Sequence, residues 1–277
     1  MFCFMGSGQF RCPGGSRAAH GLRSCAAGGS LFVLACAMRL TLEPLFPLAL
    51  ARAQLALDPL DLALLMQAVL ELRGEATGNP EEGCAWTGDL NGVWQVHRLP
   101  AFAAITREVE QRAWAYLQQL GFDPGSVALH IQRAWPVVSE PGQVVGRHHH
   151  PNAHLSAIVY LNGDGSGRSG CLRLFPHRQV NELVQGLAVG HGGPINTASE
   201  SAQLWNAPWR DVAPQAGLLL LFPAGTDHAV TANEDPDDVR LSLAFDLALT
   251  APLAGDQQAP AEYLAPHPGQ WTSLQAP

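Results

Sequence analysis

The sequence predicts a mainly β domain, a barrel or sandwich with helices packed against its outside. Three observations carry this expectation. Seven short apolar or alternating runs follow Gly125, clusters of Gly, Asn, Asp and Pro separate them, and two helix-patterned stretches precede them. The length of 277 residues suits one large domain, or one domain with a helical appendage, and 28 Gly with 21 Pro predict many turns.

Residues 1–37 are rich in Gly, Ser, Cys and Ala and have neither helical nor strand periodicity. They read as a disordered extension, translated from upstream of a start at Met38. Val33-Leu34-Ala35-Cys36 has the look of a lipoprotein cleavage box, but Gly28, Gly29 and Ser30 interrupt the apolar stretch before it. Residues 38–122 form a helical segment. Asp58-Pro59 supplies an N-cap and a first helical residue, Leu62, Leu65, Met66, Val69 and Leu72 follow at helical spacing, and Gly74 closes the helix. A second stripe, Phe102, Ile105, Val109, Ala113, Tyr116 and Leu120, ends at Gly121 in the C′ position. Both stripes suit helices laid on a sheet. Residues 123–250 are the β core, with strands expected over 127–135, 144–150, 155–161, 171–175, 218–222, 228–231 and 239–247. The Pro- and Ala-rich tail, 251–277, is expected to drape over the surface. Residues 176–210, with His177, His191, Trp205 and Trp209, have little periodicity; a stretch that long between strands reads as a lid that shapes substrate entry.

Composition removes several classes of function. The formal net charge is −8, and all sixteen basic residues are arginines scattered along the chain. No basic stripe exists to neutralise phosphates, so nucleic acid is not the expected partner. The longest apolar run, residues 31–38, is far short of the ~20 residues that cross a bilayer, so no membrane span is expected. No two of the six cysteines have metal or redox spacing, and four lie in the first 36 residues. That usage fits a reducing cytoplasm.

The chemistry is concentrated in histidines. His148, His149, His150 and His154 fall within seven residues. On a strand, His148 and His150 point to one face and His149 to the other, so the first two can grip one metal ion. His228 follows the strand-like run Leu218-Leu219-Leu220-Leu221-Phe222 and a turn. Twelve residues later, Arg240-Leu241-Ser242 opens an alternating strand with Arg240 and Ser242 on one face. A guanidinium fork there suits bidentate capture of a carboxylate.

This combination resembles the Fe(II)/2-oxoglutarate-dependent dioxygenases, similar to their prolyl-hydroxylase-like members. The match is to the 2OG-Fe(II) oxygenase family with a His-x-His-Pro motif, here His148-His149-His150-Pro151. Ser156-Ala157-Ile158-Val159-Tyr160-Leu161-Asn162 and Gly170-Cys171-Leu172-Arg173-Leu174-Phe175-Pro176 are similar to two further strands of that family. The resemblance covers about residues 126–247. It implies a double-stranded β-helix, jelly-roll or cupin-like, flanked by N-terminal helices. It also implies Fe(II) held by His148, His228 and His150, with 2-oxoglutarate held by Arg240, Ser242 and Tyr160. The activity implied is hydroxylation by O2 of a small-molecule or peptide substrate, with release of succinate and CO2.

The sequence departs from the usual His-x-Asp/Glu…His triad at His150, where the family pattern has a carboxylate. A neutral imidazole there leaves the site one unit more positive, and His150 either ligates iron or sits beside a two-histidine site. Asp227 adjoins His228, but on a strand its side chain points the opposite way. Two other readings stay open: a three-histidine, cupin-like dioxygenase independent of 2-oxoglutarate, and a non-catalytic β-barrel that binds a metal or small ligand.

Overall fold

The computed structural model describes residues 42–75, 81–178, 182, 184–187, 196, 198–253 and 264–276. The expected 1–37 extension lies outside these residues, as does part of the expected 176–210 lid. From Phe46 onward the chain forms one compact unit. Its elements, in order, are β1 (Ala51–Gln54), α1 (Pro59–Glu75), β2 (Trp86–Thr87), α2 (Ala103–Gln119), β3 (Ala128–Ser139), β4 (Val145–His148) and β5 (Leu155–Tyr160). They continue with β6 (Leu172–Leu174), α3 (Glu200–Trp205), β7 (Arg210–Val212), β8 (Leu218–Pro223), β9 (His228–Val230) and β10 (Arg240–Thr250).

Two antiparallel sheets result, one ordered β1-β8-β5-β10-β3-β2 and the other β4-β9-β6-β7. From β3 onward the chain keeps crossing between them. Strands β3, β5, β8 and β10 belong to the larger sheet, and β4, β6, β7 and β9 to the smaller. This is a double-stranded β-helix, the fold that the sequence resemblance implies. Among the described residues, no helix is long and apolar enough to cross a membrane.

Alternation along β10 explains how the larger sheet works. Leu241, Leu243, Phe245 and Leu247 are buried in one apolar core with Leu65 and Val69 of α1 and Ile105, Val109, Ala113 and Leu117 of α2. Each fully buried side chain of this size stabilises the fold by about 1.5–3 kcal/mol relative to exposure. The intervening residues Arg240, Ser242, Ala244 and Asp246 belong to the opposite face. The start of α1 and the end of α2 follow the sequence signals, whereas α1 runs through Gly74, expected to close it, to Glu75. Asp58 accepts the N–H of Leu60 at 2.8 Å at the start of α1. Gly121, at φ +89°, turns the chain after α2, where its N–H donates to Gln118 and that of Phe122 to Leu117.

The segment before residue 123 contributes more than helices. β1 pairs with β8 at one edge of the larger sheet, and β2 pairs with β3 at the other. Strands of four and two residues have too little pattern to announce themselves; distant partners define them. The strand expected to end at Trp135 runs on through Pro136 to Ser139, with Pro136 just beyond the residues that pair with β2. In the 176–210 region, Ser199 caps α3 by accepting the Ala202 N–H at 3.0 Å, and β7 begins at Arg210.

Candidate active site

His148 ends β4, His228 begins β9, and the two stand opposite each other in register. The chain then leaves the strand, but the backbone N–H of His150 donates to Ala224 at 2.9 Å, which ties the third histidine to the same end of the barrel. The ring centroids are 4.3 Å apart for His148–His228, 5.1 Å for His148–His150 and 5.2 Å for His150–His228. One ring nitrogen from each lies within 4.8 Å of the others.

The outer partners of the rings decide which nitrogens face inward. His148 Nδ1 contacts the Gly146 carbonyl at 2.7 Å, and His228 Nδ1 contacts that of Thr226 at 2.8 Å. A carbonyl only accepts, so each Nδ1 carries the proton and each Nε2 keeps a free lone pair. His150 Nδ1 has a different neighbour, Asp246 Oδ1, at 2.7 Å. Burial, and next the neighbouring His148, pushes His228 down to about 4, and burial also lowers His148. Both rings are therefore neutral near pH 7, the state that ligates metals. Three converging imidazoles, two of them with Nε2 lone pairs free, fit a divalent first-row ion such as Fe(II).

His149 points away from this cluster. Its Nδ1 lies 3.0 Å from Asp227 Oδ1, while Arg147 donates to Asp227 Oδ2 from Nε at 3.0 Å and Nη2 at 2.6 Å. Arg147 above all holds the Asp227 carboxyl below its usual range. Asp227 thus belongs to the exposed side, not to the histidine cluster. His154 accepts the Leu249 N–H at 3.1 Å and is likewise apart from the cluster.

The histidines open into a cavity of about 440 Å³ that Arg240, Ser242 and Tyr160 also line. Ser242 stands opposite Tyr160 across β10 and β5. Tyr160 is buried, which pushes its phenol up to about 12 and keeps it protonated. Arg240 is only 1% exposed. Its Nη1 donates to the Ser169 carbonyl at 3.1 Å, and its buried Nε has no hydrogen-bond partner among the described residues. Burial lowers its pKa, though from so high a value that it stays charged near neutrality. A buried cation with one neutral acceptor has the chemistry to receive an anion.

Gly170 makes room for that cation. At φ +88°, an added Cβ would lie 2.4 Å from the Thr231 carbonyl oxygen and 2.7 Å from Arg240 Nη1. Gly170→Ala is expected to destabilise the protein by about 2–4 kcal/mol, through backbone strain and overpacking. Urea denaturation of the two proteins checks this; equal midpoints would show that the loop gives way freely.

Sequence reasoning missed two contributors, Asp246 and Arg133. Asp246 is wholly buried, and Arg133 donates to its Oδ2 from Nε at 2.9 Å and also from Nη2. A signal was present, since Asp246 continues the alternation of Arg240, Ser242 and Ala244.

Fold and site together define a double-stranded β-helix with a three-histidine candidate metal centre and a cationic pocket beside it. Residues 133–246 match the family described as "Putative 2OG-Fe(II) oxygenase". The resemblance read from the motifs is thereby shown over the segment that carries them. Similar solved structures include the non-heme alpha ketoglutarate dependent epimerase SnoN from nogalamycin biosynthesis, at 17% identity and a TM-score of 0.51, covering 80% of this chain and 92% of that one. The carbocyclase SnoK of the same biosynthesis has 15% identity and a TM-score of 0.50, covering 74% and 82%. SnoN is also known in complex with Fe3+, alpha ketoglutarate and nogalamycin RO, at 17% identity, a TM-score of 0.50 and coverage of 80% and 92%. No curated protein matches the sequence. At these identities the likeness is one of fold.

Proposed function

We propose that the protein is an Fe(II)- and 2-oxoglutarate-dependent dioxygenase that hydroxylates a small-molecule or peptide substrate, releasing succinate and CO2. One observation carries this reading: three convergent imidazoles and a buried, under-partnered guanidinium line the same cavity. His148, His228 and His150 would hold the iron, the first two through Nε2. Arg240, helped by Ser242, takes the far carboxylate of 2-oxoglutarate, and Tyr160 packs beside it. When bound, iron and cosubstrate supply the activation of O2 that oxidises a substrate C–H bond. The chain's own part is to orient the imidazoles, anchor the diacid and keep water out with walls such as Trp135, Val145, Leu172 and Val230. The SnoN complex, which holds Fe3+ and alpha ketoglutarate in the same fold, supports this pairing.

The three-histidine set favours a second reading, an oxygenase that uses O2 without 2-oxoglutarate. One experiment separates the two. Anaerobic addition of Fe(II) and then 2-oxoglutarate should produce the visible charge-transfer band of the chelate, and admission of O2 should release succinate. An iron-loaded protein that gives neither band nor succinate, yet consumes O2 with a substrate, would establish the second reading. Iron binding without O2 consumption under either condition would mark a binding protein.

A further inference from the structure

We propose that Asp246, held by Arg133, is the positioning residue of the metal centre: its carboxylate fixes the His150 ring from behind and supplies the negative charge that no ligand provides. The inference rests on the reading of His148, His150 and His228 as ligands and goes one residue beyond it.

The three rings are not held alike. His148 and His228 contact neutral backbone carbonyls through Nδ1, whereas Nδ1 of His150 lies 2.7 Å from a carboxylate oxygen. Apart from this approach, Asp246 Oδ1 has no polar partner among the described residues, and the Asp246 side chain is wholly buried. A buried carboxylate is costly unless paired. Arg133 pairs with it through the other oxygen, leaving Oδ1 for the imidazole. The same guanidinium sits 4.9 Å over the Trp135 ring, and that ring stacks on His150 at 5.7 Å with an interplanar angle of 21°. His150 is thus held on its face by Trp135, at its Nδ1 edge by Asp246 and at its backbone by Ala224.

The topology explains why Asp246 can reach the ring. It stands opposite Arg133 on β3 and Ser156 on β5, and the pairing of β10 with β3 slips between Asp246 and Leu247. Such bulges bend a strand and re-aim a side chain, often beside a functional site. The usual triad places a carboxylate on the metal. Here the carboxylate stands behind an imidazole, the arrangement by which an outer-shell acid orients a ligand and raises its basicity.

Titration of Co(II) into the anaerobic, metal-free, full-length protein, read by its visible d–d absorption, tests the proposal. Asp246→Asn is expected to weaken binding about 10- to 100-fold and to shift the band. Asp246→Glu should recover part of the affinity, and His150→Ala should lose more than Asp246→Asn. Wild-type affinity and an unshifted band in Asp246→Asn, together with a loss in His150→Ala, would overturn the proposal and leave the ligand reading intact. Wild-type binding by His150→Ala would overturn the role of His150 and the proposal with it. If thermal melting shows that Asp246→Asn does not fold, Arg133→Gln, at a partly exposed side chain, loosens the same carboxylate and is held to the same outcomes.

Discussion

Replacing His228 with alanine is expected to abolish iron binding and, with it, the visible band that 2-oxoglutarate produces on the iron-loaded protein. The expectation follows from position. His228 is the most enclosed of the three imidazoles at 4% exposure. Its ring packs edge-on against Phe222 at 5.2 Å and lies 4.3 Å from His148, its cross-strand partner. The Thr226 carbonyl fixes its tautomer, and burial keeps it neutral. Losing an outer-shell partner already costs about 10- to 100-fold in metal affinity, so losing a ligand should cost more. The measurement is anaerobic Fe(II) titration of both proteins, with melting of the metal-free forms as a control for folding. Iron binding at wild-type strength by a folded His228→Ala protein would remove His228 from the metal centre and undo the functional reading.

The same residues that made the fold legible also made the site legible. In β10, one parity of residues, Leu241, Leu243, Phe245 and Leu247, faces the helices, and the other, Arg240, Ser242 and Ala244, lines the cavity. A strand has period two, so a single register choice settles both faces. That is why the sequence could place a guanidinium inside a barrel without knowing the barrel. The His148–His150 spacing was readable for the same reason, and His228 because a turn follows an apolar strand. Their convergence was not readable from spacing alone. It depends on the pairing of β4 with β9 and on the bond from His150 to Ala224, contacts between residues about 75–80 positions apart.

What escaped the sequence escaped for identifiable reasons. Strands β1 and β2 are short edges, visible only through partners far along the chain. Asp246 has the parity of Arg240, but its closeness to His150 requires the slip in register after it, which no local pattern announces. Asp227, the acid adjacent to a histidine in sequence, points away from the cluster as its strand parity requires, whereas the acid beside a ring of the cluster, Asp246, is almost a hundred residues from His150. Adjacency along the chain is a poor guide where strands from two sheets meet.

Removing the guanidinium of Arg240 is expected to weaken cosubstrate binding without lowering the stability of the metal-free protein. Each hydrogen bond to a charged group contributes about 1.5–3 kcal/mol, so a lost two-bond grip on the far carboxylate should weaken 2-oxoglutarate binding by about 100-fold or more. Iron affinity should stay near that of the wild type, because Arg240 makes no hydrogen bond to any of the three imidazoles; its Nη1 donates to the Ser169 carbonyl. Without cosubstrate the residue is a burden. A charge at 1% exposure, with Nε unpartnered, has lost its hydration and gained little in return. Arg240→Met, similar in length and apolar, should therefore leave the metal-free protein as stable as the wild type or more so. Arg240→Lys should keep the charge, lose the fork, and fall between the two in 2-oxoglutarate affinity. The measurements are titration of 2-oxoglutarate into anaerobic iron-loaded protein, followed by its visible band, and thermal melting without ligands. If Arg240→Met bound 2-oxoglutarate like the wild type and melted several degrees lower, the arginine would be a structural element bonded to the Ser169 loop. The cavity would then need another anchor for the diacid, and the reading independent of 2-oxoglutarate would become the better one.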